Sequence, residues 1–98
     1  MLLPVLELGG TGVISVASHL VGPRMAAIVE AHRRGDIEEA RRGDADIADL
    51  VTALFVTSNP ILIKAALTMT GLIPDDRLRL PLVSATPVER SVLRTVLE

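Results

Sequence analysis

The 98 residues contain no cysteine, tryptophan or tyrosine, one phenylalanine (Phe55) and one lysine (Lys64). Without cysteine there is no disulfide scaffold, and a small fold must be held by its apolar core alone. His19 and His32 are too sparse to build a metal site without cysteine or a tight carboxylate cluster beside them, so neither a metal nor another cofactor is expected. A single aromatic offers no platform for stacking bases. The net charge of −2 gives no attraction for a polyanion either. The pairs Arg33-Arg34 and Arg41-Arg42 are interleaved with Asp36, Glu38, Glu39, Asp44 and Asp46, so their local field largely cancels and no nucleic-acid partner is expected. Long apolar runs are missing as well. The uncharged stretches Leu8–Pro23 and Leu50–Ile63 fall short of the roughly 20 residues of a spanning helix, and both carry proline. The first residues lack a basic segment and Glu7 interrupts them, so neither a signal peptide nor a membrane segment is expected. The expectation is a cytoplasmic chain.

What the sequence has in excess is apolar side chain. The share is 49% before glycine is counted, and the mean hydropathy is +0.46. Ordinary domains reach roughly 45–50% with glycine included. That composition excludes disorder. It also exceeds what so short a chain readily hides, because small domains bury a smaller fraction of their surface. No linker, repeat or low-complexity stretch divides the chain.

Local patterns predict a mainly helical chain. Leu2–Leu8 reads as the end of a helix, followed by a turn at Gly9-Gly10-Thr11-Gly12. Val13–Ala17 is a β-branched run suited to a strand buried on both faces, as in a parallel sheet. Its oddity is that nothing else in the chain reads as a partner strand. Val21, Met25, Ile28, Val29 and His32 recur at helical spacing, with Pro23 in the first turn and Gly35 as a cap. Asp36 and Glu39 form a capping-box pattern opening a longer helix that carries Ile37, Ala40, Ile47, Leu50, Val51, Leu54 and Phe55 on one face. Gly43 inside it either weakens the helix or marks a break. Asn59-Pro60 reads as cap and first position of a helix from Ile61 to about Thr70, ended by Gly71. Leu72–Ala85 reads as an extended loop. Thr86-Pro87-Val88-Glu89 is a capping box for a closing helix with Val88, Val92 and Val96 in a stripe beside Leu93 and Leu97.

Few residues invite chemistry. The glycines at 9, 10 and 12 precede the β-branched run, whereas a phosphate-binding loop joins a strand to a helix, so they read as a structural turn. Ser15, Ser18 and His19 are polar groups near one another in sequence, but no acidic residue accompanies them to complete a triad. Ser18 and His19 fall where the β-branched run hands over to the next helix, the place where α/β folds put their sites. They are read as caps or pocket-edge residues, and no residue is assigned a catalytic role. Asp44, Asp46 and Asp49 lie on a polar helical face. Lys64, on an apolar helix, has the chemistry for a Schiff base if its pKa is depressed. The alternative is a stem packed at the core edge with its ammonium reaching water or a carbonyl.

Three segments taken in order carry a resemblance. Gly9–Val16 resembles the last barrel strand of the dihydrodipicolinate synthase family, also called 4-hydroxy-tetrahydrodipicolinate synthase. Leu54-Phe55, Asn59-Pro60 and Lys64 with Ala66-Leu67 are spaced as in that family's C-terminal segment, and Arg79-Leu80-Pro81-Leu82 resembles a loop that follows it. The resemblance covers essentially the whole chain. It implies one barrel strand plus helices from the C-terminal end of a (β/α)8 TIM-barrel aldolase. Residues 1–35 would be part of the last βα unit, and 36–98 the helical extension. Such enzymes join pyruvate to aspartate semialdehyde, on the way to diaminopimelate and lysine, through a Schiff base on a lysine that precedes this segment. The proton relay of tyrosine and threonine precedes it too. Lys64 matches a lysine of the C-terminal helices, so the resemblance places no catalytic residue here and implies a segment without aldol activity of its own. It leaves open a fragment of a related N-acetylneuraminate lyase-type aldolase. It also leaves open a helical module that self-associates or docks onto a barrel, as exposed apolar faces favour. A remnant would be poorly folded alone; a module would give a discrete oligomer that melts cooperatively.

Overall fold

The computed structural model describes all of residues 1–98 and contains five helices and no strand. They are α1 (Leu2–Glu7), α2 (Ser18–Arg33), α3 (Ile37–Leu54), α4 (Ile61–Met69) and α5 (Pro87–Leu97). The chain forms two compact units, Met1–Ala48 and Asp49–Glu98, with the boundary inside α3.

In the first unit α1 packs on α2 through Leu2, Leu3 and Leu6. The α2 face opposite them is Val21, Met25, Ile28 and Ala31, a helical stripe; Val29 and His32, expected with it, are only half-buried. Val21 (φ −123°, ψ 27°) leaves the helical region, so a leading turn, Ser18–Leu20, meets the main run at a kink. Pro23 falls in the first turn after that kink, where its missing N–H has no partner to lose.

The α2–α3 junction shows two caps sharing one residue. Gly35 takes φ +83° and donates its N–H to the His32 carbonyl (3.0 Å), while the Asp36 N–H closes back on Ala31 (2.9 Å). This is the Schellman pattern, which needs a left-handed residue that glycine supplies without strain. The Asp36 carboxylate then accepts from the Glu39 N–H (3.1 Å) to start α3. The reciprocal half of the expected capping box is absent, because the Asp36 N–H is already spent on α2. The Glu39 carboxylate pairs instead with Arg34 (2.7 Å). Downstream, α3 runs unbroken through Gly43. Its buried residues are Ala40, Ile47, Leu50, Ala53 and Leu54, whereas Phe55 lies past the helix end and is half exposed.

The second unit buries Ile61, Leu62, Ile63, Ala65 and Ala66 of α4, which packs on α5. Asn59 does not cap α4. Pro60 occupies the cap position, and its carbonyl accepts the first helical bond, from Lys64 (3.1 Å). At α5 the capping box is complete: Thr86 Oγ1 accepts from the Glu89 N–H (3.3 Å), and the Glu89 carboxylate accepts from the Thr86 N–H (2.7 Å). The core-facing side chain of α5 is Leu93, fully buried; Val88 and Val92 of the expected stripe are exposed.

The barrel strand expected at Val13–Ala17 is not present in this structure. Thr11–Ser15 carry no regular secondary structure, Val16 and Ala17 turn into α2, and no residue belongs to a strand or bridge. β-Branched side chains favour extended backbone, but a strand exists only through hydrogen bonds to a neighbour. No other segment of the 98 residues is available to make them.

Candidate functional site

The segment before α2 and α2 itself border an open depression of about 340 Å³ lined by Val13, Ser15, Ser18, Gly22, Met25, Ala26, Val29 and Glu30. Its walls are mainly apolar. Ser15 organises the near end. Its hydroxyl oxygen accepts from the Ser18 N–H (3.1 Å) and donates toward Met25 Sδ (3.4 Å), while Ser18 Oγ donates to the Ser15 carbonyl (2.9 Å). Ser15 thus takes up the first amide of α2, whose N-cap position is Ala17. Ser18 lines the depression; His19, exposed at the start of α2, is not among the lining residues.

Glu30 closes the far end. Arg33 grips its carboxylate with two hydrogen bonds, Nε at 2.9 Å and Nη2 at 2.7 Å. That grip lowers the Glu30 pKa and raises that of Arg33, so the carboxylate stays ionised and occupied. Neither serine hydroxyl has a histidine or carboxylate as its hydrogen-bond partner, so the depression can hold a small apolar or mixed group but carries no activated nucleophile. No group of three His, Cys, Asp or Glu side chains is arranged to hold a metal ion.

A second polar cluster lies in the other unit, where the loop between α4 and α5 is fastened at three points. Lys64 Nζ donates to the Arg77 carbonyl. Asp75 accepts from the Arg77 N–H (3.0 Å) and from its guanidinium (2.8 Å). Arg90 pairs with Asp76 and donates Nε to the Ala85 carbonyl (3.1 Å). The Arg77 guanidinium, helped by the Arg77 N–H, holds the Asp75 pKa down at about 2. The groups of this cluster hold one another and the loop backbone, and Lys64 takes the carbonyl-bound arrangement instead of opening into a cavity.

No helix is long and apolar enough to cross a membrane. Residues 1–98 match the dihydrodipicolinate synthetase family. The 4-hydroxy-tetrahydrodipicolinate synthase of Symbiobacterium thermophilum is 46% identical over 96 residues, which is 98% of this chain and 32% of that enzyme. Among solved structures, the dihydrodipicolinate synthase of Cyanidioschyzon merolae with lysine bound superposes with a TM-score of 0.92 at 45% identity, over 97% of this chain and 32% of that one. The Thermotoga maritima enzyme gives 0.92 at 40% identity, over 96% and 32%. The chain therefore spans about a third of the length of the relatives it matches and corresponds to their C-terminal segment. On this agreement of sequence and helical structure, the chain belongs to the dihydrodipicolinate synthetase family.

Proposed function

We propose that the chain is the supporting C-terminal part of a Schiff-base-forming, pyruvate-dependent aldolase of the 4-hydroxy-tetrahydrodipicolinate synthase type. In this reading residues 1–35 are part of the last βα unit of a (β/α)8 barrel, with the run at 13–17 as its strand, and residues 36–98 are the helical extension. Ser18 and His19 then stand at the pocket edge. The complete enzyme would join pyruvate to aspartate semialdehyde in the cytoplasm, toward diaminopimelate and lysine, with the reacting lysine and its proton relay supplied by the rest of the polypeptide.

The observation that carries this reading is the state of Lys64. It is the chain's one lysine, and its amino group donates to the Arg77 carbonyl in the loop beyond α4. A Schiff base needs a neutral amine facing a carbonyl substrate in a pocket. Lys64 faces a peptide carbonyl in a surface loop, so its part is to hold that loop. Incubating the 98-residue chain with pyruvate and borohydride should leave its mass unchanged. A stable adduct on Lys64 would overturn the assignment.

The exposed pair Val88 and Val92, one helical turn apart on α5, favours a second reading, a helical module that self-associates. Light scattering separates the two: the module forms a discrete oligomer that melts cooperatively, the supporting segment does not.

A further inference from the structure

We draw no further inference here: the strongest candidate, the open cleft between α2 and α3 lined by Ala27, Ile28, Glu39, Arg42, Gly43 and Asp46, carries nothing, because its three charged side chains are all exposed and no buried polar side chain points into it.

Discussion

Gly43 of α3 lies so close to Ile28 of α2 that a β-carbon at position 43 would stand 2.8 Å from Ile28 Cγ1. In an open helix, exchanging glycine for alanine gains roughly 1 kcal/mol. Here the nearest atom is the inner part of an isoleucine that is 1% exposed, and Ile28 has little room to withdraw. Overpacking of this kind costs about 1–3 kcal/mol. Gly43→Ala should therefore destabilise by about 1 kcal/mol in urea denaturation followed by circular dichroism. Combined with Ile28→Ala, which clears the space, the same change should become neutral or stabilising. A gain in stability from Gly43→Ala alone would show that the two helices are not held this close.

This glycine also marks where sequence reasoning stops. Some caps were legible because they are local: Gly35, the Asp36 carboxylate and the Thr86–Glu89 pair act within three residues of where they stand, although Asn59 does not cap α4. The close approach at Gly43 is set by a residue fifteen positions away, so the sequence alone allowed a break as readily as a contact. The run at Val13–Ala17 lies in no strand here for the same reason, since a β-branched pattern is a local property and strand pairing is not. On α5 the repeating valines made a stripe, but Leu93 is the buried side chain while Val88 and Val92 are exposed, because which side is covered depends on where α4 lies. Of the site residues, Ser18 lines the depression and His19 does not, while the side chain that accepts from the first amide of α2 is Ser15.

Thr86 closes the start of α5 with both halves of a capping box. Thr86→Ala removes the acceptor for the Glu89 N–H and should cost about 1 kcal/mol. Glu89→Gln keeps the reciprocal bond to the Thr86 N–H and gives up only the favourable charge at the helix start, a loss of a few tenths of a kcal/mol. Amide exchange at Glu89 and Arg90 measures both. Equal losses in the two variants would mean that charge, not the box, holds this end.

Lys64 ties α4 to the loop at Arg77. Lys64→Met keeps a long apolar stem at the core edge and deletes the donor. For a partly exposed hydrogen bond the expected cost is about 1 kcal/mol. The change should be local: amides between Leu72 and Ala85 exchange faster, while those of α2 do not. Uniform acceleration across the chain would instead assign Lys64 to the core.

Asp75 provides the pH-dependent contact of this loop. Its ordinary pKa of 3.8 falls to about 2 because the Arg77 guanidinium and N–H both bind the charged form. A lowered carboxylate pKa means that folding favours the ionised group. The contact's contribution is thus complete above about pH 4 and is lost as the pH drops toward 2. Because the pair lies at the surface, the effect on global stability is small and the local titration is the informative readout. Carbon NMR of the Asp75 carboxyl should show a midpoint near 2, returning toward 3.8 in Arg77→Gln. A wild-type midpoint already at 3.8 would mean that Arg77 does not hold Asp75 in solution. Lys64 and Arg90 would then be left as the two anchors of the loop.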